Sequence, residues 1–303
     1  MSKPNKNYVA ENFENFYSHL GRIAWKKDLN SNEAIKTTVT GNDIIDYTTD
    51  NELWRKDSKI EQYKIFYKFN SHGFRSDEFD NSASNNYLYA GCSNTFGTGV
   101  PIDFVWASKL NKYIGGDKFF NLGVGGGSTH RIIVNVLNYI KLYGAPKGIF
   151  ILFPDLTRTD VFIENSRITI NTDRPHGTKD LGAKKLEDVK KVLTYERLFY
   201  DFSFSILNLE MLCQSMKIDL FWGTWDNKFN DHIIDKGASG FKNYVNILDS
   251  KIFEQVLRED QEYYNNSSKI PYWERARDGK HPGIKSPSIY AKTFLHYFNN
   301  LVD

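Results

Sequence analysis

From residue 86 onward, short apolar runs alternate with longer stretches of helical periodicity, and few folds accommodate that rhythm. Strands are expected at 86–90, 117–122, 148–153 and 218–222, with helices over 101–113, 129–143 and about 186–216, and after 246 and 287. The runs are apolar almost throughout, as a strand requires when both of its faces are covered. A helix between successive strands supplies that cover and the crossover that joins parallel neighbours. The expected class is therefore α/β, a three-layer α/β/α sandwich around a mainly parallel sheet. In such sheets ligands bind beyond the carboxyl ends of the strands, so the loops that follow strands hold the chemistry.

Two helices have independent support. Ile132, Ile133, Val136, Leu137 and Ile140 form one apolar stripe, and Tyr290, Phe294, Tyr297, Phe298 and Leu301 another. Ser286 followed by Pro287 fits an N-cap with proline in the first turn. Residues 154–185 interrupt the alternation with a candidate hairpin and a charged loop, long enough beside a strand end to cover a site. Upstream, residues 8–28 carry helical spacing, while TTVTGNDIIDY and KIEQYKIFYKF have the β-branched and aromatic content of strands. The polar stretch 77–86 separates that region from the rest. Residues 1–84 are thus expected as a helix-plus-strand extension packed on the core, and 85–303 as the main domain.

Bulk properties exclude several functions. The net charge of +2 provides no field suited to nucleic acid or an anionic membrane. Cys92 and Cys213 are far apart without Cys or His neighbours at ligand spacing, so neither a disulfide framework nor a metal site is expected. The sequence begins without a secretory pattern and contains no long uninterrupted apolar run, which leads to an expectation of a cytoplasmic protein as synthesised. Nothing in it indicates an oligomeric state.

Three segments carry candidate chemistry. AGCSNTFGTG (90–99) follows the first strand. It lacks the Lys-Ser or Lys-Thr of a phosphate-binding loop, and Thr95 stands where a G-x-S-x-G elbow needs glycine. Ser93 remains, either a nucleophile or a small turn residue. NLGVGGGSTH (121–130) follows the second strand, and Ser128 occupies the last position of a would-be G-x-G-x-x-G. A dinucleotide is disfavoured there, yet glycine-rich backbone N–H groups suit an anion or a developing oxyanion. ARDGKHPG (276–283) places Asp278 three residues before His281, within reach of its imidazole. A carboxylate on Nδ1–H fixes the tautomer and leaves Nε2 as a proton acceptor. A plain loop turn is the alternative.

Together these segments resemble the SGNH (GDSL-type) hydrolases. AGCSNTFGTG is similar to their first block with Cys92 in place of the usual aspartate, a variant also found in bacterial and phage sequences; NLGVGGGS is similar to the second and DGKHPG to the D-x-x-H block. FNSHGFRSDEF (69–79) is similar to an N-x-x-G-F-R segment that often precedes the first block. The resemblance spans roughly residues 69–300 and implies a flavodoxin-like fold, no cofactor and ester hydrolysis. It makes Ser93 the nucleophile, His281 the general base and Asp278 its orienting partner, with the N–H groups of Ser93 and Gly126 in the oxyanion hole. The family's G-x-N-D block is missing: the third strand end reads ILFPDLTR, leaving Thr157 or Arg158 as substitutes for its asparagine donor. Asn94, His130, Arg158 and Trp225 are candidate substrate contacts. The implied substrate is a small-molecule or glycan acyl ester, foremost an O-acetyl group on carbohydrate. The rival reading is a catalytically weak glycan-binding or structural protein, such as a virion component, that keeps the fold.

Overall fold

The four central strands carry apolar side chains on both faces, and the structure covers both with helices. It is a computed structural model that describes residues 70, 72–80, 85–163, 166–173, 183–237, 240–249, 251–252, 254, 281–283 and 285–302. The expected N-terminal helix and two strands, and Asp278, lie outside the described residues. So do residues 81–84, where the division between extension and main domain was expected. The segment 72–80 just before them packs with the sheet, burying Phe74 and Phe79 in the same cluster as Leu88 and Phe120.

Strands β1 (Asn86–Gly91), β2 (Lys118–Gly123), β3 (Gly148–Phe153) and β6 (Asp219–Thr224) form a parallel sheet in the order β2-β1-β3-β6. This is the arrangement of a doubly wound sheet, with β1 central. Strands β4 (Arg158–Ile163) and β5 (Ser166–Asn171) pair as a separate antiparallel hairpin, as expected for the excursion after β3.

One face of the sheet carries α3 (Thr129–Tyr143), α5 (Tyr195–Met216) and α6 (Asn227–Gly237), which close over Leu88, Ile149, Ile151 and Trp222. The other carries α2 (Trp106–Tyr113) and α7 (Lys285–Val302) over Tyr87, Tyr89, Phe150 and Phe221. A one-turn helix, α1 (Ser93–Phe96), follows β1, and α4 (Ala183–Val192) precedes α5.

Three expected boundaries differ. The helix expected over 101–113 opens as a 3-10 turn, Ile102–Phe104, and only becomes α-helical at Trp106 because Val105 is extended. The helix expected over 186–216 is two helices, since Thr194 caps α5 by accepting from Arg197 N at 3.3 Å. Helix α7 begins at Lys285, so Ser286 and Pro287 sit inside its first turn.

Aromatic rings lock the α2/α7 face. Tyr89, Phe150 and Phe221 are register partners on adjacent strands and stack at 5.7 and 5.0 Å, nearly parallel. Phe294 of α7 stacks on Trp106 of α2 at 5.1 Å and meets Phe150 edge-on at 5.7 Å. Farther along α7, Phe298 meets Tyr87, near the start of β1, at 6.0 Å. Helix α7 therefore runs from the carboxyl edge of the sheet toward its amino edge. That direction delivers the segment preceding α7, including His281, to the edge where ligands bind.

Phe294 is fully buried, so Phe294→Ala is expected to destabilise the protein by about 3–5 kcal/mol. Equilibrium denaturation in guanidinium checks this, and a loss near zero would mean that α7 is not held by this ring.

Candidate active site at the carboxyl edge of the sheet

Ser93 is the first residue of α1, directly beyond β1, and is half-buried. At that position helix geometry leaves the backbone N–H without an intrahelical acceptor. Ser93 can therefore present a hydroxyl and an N–H from the same residue. Its carbonyl accepts from Gly97 N at 2.9 Å and Thr98 N at 3.1 Å, closing the turn, and Gly97 makes the reversal at φ 78°.

The turn is fixed from three sides. Asn121, fully buried at the end of β2, donates Nδ2 to Thr95 O at 3.0 Å, and Trp106 Nε1 donates to Thr95 Oγ1 at 3.2 Å. Arg75, only 2% exposed, donates to the carbonyls of Phe96 (3.3 Å), Gly97 (2.7 Å) and Val100 (3.1 Å). A guanidinium fork meets several acceptors at once, which a lysine ammonium at the same depth matches poorly. Close backbone approach completes the fit. A Cβ on Gly123 would lie 2.3 Å from Phe96 N, and one on Gly91 would lie 2.7 Å from Leu152 O.

His281 meets Ser93 across a small cleft. Ser93, Asn94, Gly97 and Thr98 from the first strand end face His281, Pro282, Pro287 and Tyr290 from the last helix and its approach. The free space is about 10 Å³, room for barely one water. Tyr290 is a buried member of the α2/α7 core with its ring on the cleft. Burial raises its phenol above the ordinary range; a hydrogen bond with Ser286 opposes this and nearby Cys92 reinforces it. Tyr290 thus stays a protonated O–H at neutral pH.

The other expected residues fall in different places. Gly126 occupies the exposed corner of the turn Val124–Gly127, with φ 68° and Gly127 N on Val124 O at 3.0 Å. It is not among the residues lining the Ser93–His281 cleft, although its loop starts beside α1, where Val124 N donates to Gly91 O at 3.0 Å. Ser128, which spoils the dinucleotide pattern, is the N-cap of α3, accepting from Arg131 N at 3.1 Å. His130 is exposed in the first turn of α3 and lines a second, larger cavity.

The hydroxyl of Thr157, expected as a substitute oxyanion donor, is engaged within the protein. Thr157 is buried with Asp155 and Asn171: its hydroxyl donates to Asp155 Oδ1, with Asn171 Oδ1 at 3.0 Å, and Asn171 Nδ2 donates to the same carboxylate oxygen at 3.0 Å. A hydroxyl has one proton, and here it is engaged. Arg158 lies 3.7 Å from Asp155 Oδ2, directed at that carboxylate. Trp225 is half-buried, packs against both core clusters and lines neither of these two cavities.

Sequence reasoning missed Arg75 and Tyr290. Arg75 was visible only as part of a resembling segment, because its partners are backbone carbonyls that no side-chain pattern reveals. Tyr290 was read as one member of an apolar helix stripe; its place one turn after Pro287 and near the His281 loop was the available signal. Among the described residues no group of His, Cys, Asp and Glu could hold a metal ion, and no helix is long and apolar enough to cross a membrane.

The fold is thus a three-layer α/β/α sandwich with a serine and a histidine facing each other at the carboxyl edge. No protein-family model and no curated protein matches the chain. Among solved structures it is similar to a member of the lipolytic protein G-D-S-L family from Veillonella parvula DSM 2008, at 12% identity and a TM-score of 0.38, over 70% of this chain and 97% of that one.

Arg75→Met removes the guanidinium donor from the carbonyls of Phe96, Gly97 and Val100, of which Gly97 O keeps Val100 N at 3.4 Å, and a loss of about 2–3 kcal/mol is expected in denaturant melts. Arg75→Lys should fall between that variant and the wild type. Equal stability of all three would show that the carbonyls are satisfied otherwise.

Proposed function

We propose that the chain is a serine esterase in which Ser93 is the nucleophile, His281 the general base and Asp278 the residue that orients His281. The observation that carries this reading is the shared cleft: Ser93 and His281, far apart in sequence, line the same small space. In the reaction, Ser93 Oγ attacks the acyl carbonyl carbon while His281 Nε2 takes the hydroxyl proton. The N–H of Ser93 holds the oxyanion, and the N–H of Gly126, which stands outside the cleft lining, is assigned as the second donor on the resemblance alone. The carbon–oxygen bond to the alcohol breaks, and the alcohol leaves with the proton from His281. Water, deprotonated by His281, then attacks the acyl-enzyme and releases the carboxylic acid and free Ser93. The acyl group is assigned as a small one, foremost acetyl, on the resemblance to the SGNH hydrolases. The alcohol it esterifies is assigned to carbohydrate.

A second reading, a glycan-binding protein with weak or no turnover, is favoured by the third strand end. Asp155, Thr157 and Asn171 bond one another there, where the resembled hydrolases have an asparagine donor. Loss of one oxyanion donor typically costs about 2.7–4 kcal/mol of transition-state stabilisation.

A fluorophosphonate probe separates the two, since it reacts only with an activated serine. The esterase reading expects an adduct on Ser93, found by peptide mass spectrometry, together with acetate release that falls at least 1000-fold in Ser93→Ala, of the order seen when a triad member is removed. Well-folded protein that takes up no probe at Ser93 would overturn that reading in favour of glycan binding.

A further inference from the structure

The second cavity has about 580 Å³ of free space, within the range of small-ligand sites. Its position in the sheet is informative. One wall is the start of α3, which follows the loop after β2; another is the chain after β3, with Leu156, Thr159 and Asp160. β2 and β3 are the two neighbours of β1, so the cavity is bounded by segments that follow the strands on both sides of the one leading to Ser93. Helix α5 closes the remaining side.

The lining combines three chemistries. Ile133, Leu156, Leu198 and Phe202 make a buried apolar floor. Tyr200 and Phe204 lie one helical turn apart on α5 and leave their rings 66% and 65% exposed at the rim. Around them stand carboxylates that are already oriented. Asp160 Oδ1 accepts from the Thr169 hydroxyl at 2.6 Å, and Asp201 Oδ2 from Arg197 Nε at 2.9 Å.

That combination selects among ligands. An anion would meet the Asp160 carboxylate, and the Arg197 guanidinium beside the cavity is already engaged by Asp201, which disfavours phosphates and free carboxylic acids. A bare acyl chain would take those carboxylates and the Thr159 hydroxyl out of water without adding a hydrogen bond to them. A neutral sugar satisfies both sets of groups. Its C–H face lies on an aromatic ring, and its hydroxyls donate to carboxylates, which accept charge-assisted hydrogen bonds.

We infer that this cavity is a binding site for neutral carbohydrate, built from the Tyr200 and Phe204 rings and the Asp160 and Asp201 carboxylates. It deepens the esterase reading and rests on it in one respect: the bound sugar is the alcohol part of the ester, lying alongside the β1 end so that an O-acyl group extends toward Ser93. Binding itself does not depend on turnover.

The test is calorimetric titration of the full chain with unacetylated xylo-, cello-, manno- and chito-tetraose, and with octanoate as the apolar control. At least one tetrasaccharide should bind. Its affinity should fall at least tenfold in the double variant Tyr200→Ala/Phe204→Ala, whose rings are exposed and removable without a core cavity, and separately in Asp160→Asn. Melting temperatures establish that both variants fold. The inference is overturned if no tetrasaccharide binds, if a bound one is indifferent to both variants, or if octanoate binds and the sugars do not. Sugar binding by a protein that turns over no acetyl ester would contradict the esterase reading alone. Turnover of a small acetyl ester without sugar binding would contradict this inference alone.

Discussion

The packing of the last helix against the sheet is the contact on which the rest depends. Phe294 sits between Trp106 and Phe150, and Phe298 reaches Tyr87, so α7 is aligned along β1 by rings spaced one turn apart. Because that alignment is antiparallel to the strands, the start of α7 has to lie at their carboxyl edge. Core packing of α7 thus brings His281 to that edge. Lys109 Nζ on Ser288 Oγ at 2.7 Å adds a polar tie between α2 and α7.

The serine side of the cleft is built by a different means. Its rigidity comes from backbone carbonyls gathered by Arg75 and from glycines that let β1, β2 and α1 approach within contact distance. Burying a guanidinium at 2% exposure is costly unless its N–H groups are hydrogen-bonded, and three of the acceptors it finds are carbonyls of this turn. The two halves of the cleft are therefore anchored independently, one by aromatic packing and one by a hydrogen-bonded loop. Between the loops that flank β1, the larger cavity gives the same edge a second compartment of distinct chemistry.

The alternation of apolar runs and helical stretches made the layered fold legible, because β1 and β3 are buried at every residue and β6 at all but its first. Boundaries were less so. Thr194 looked like one more polar residue in a long helical stretch until its capping bond to Arg197 N showed a new start. In the site, Ser93 and His281 were legible from residue type and loop composition. That the Thr157 hydroxyl is engaged by Asp155 and Asn171, the latter contributed by a hairpin strand, was not legible, because the partners come together only in the fold. The place of Trp225 between two core clusters was not legible either, because it depends on long-range packing. Arg75 acts on carbonyls, which every residue carries, so no pattern of side chains announces it.

The central claim is that the His281 imidazole acts on the side chain at position 93. A thiol at that position reports it without any substrate, since an adjacent imidazole stabilises the thiolate and lowers the thiol pKa. The native Cys92 and Cys213 are buried, and burial pushes the Cys213 thiol up to about 12, so both should react slowly. The rate of iodoacetamide alkylation of Ser93→Cys against pH is the most direct measurement. The account predicts a midpoint below the ordinary cysteine value of about 8.5 that moves up when His281→Ala is added. Superimposable profiles with and without His281 would contradict it.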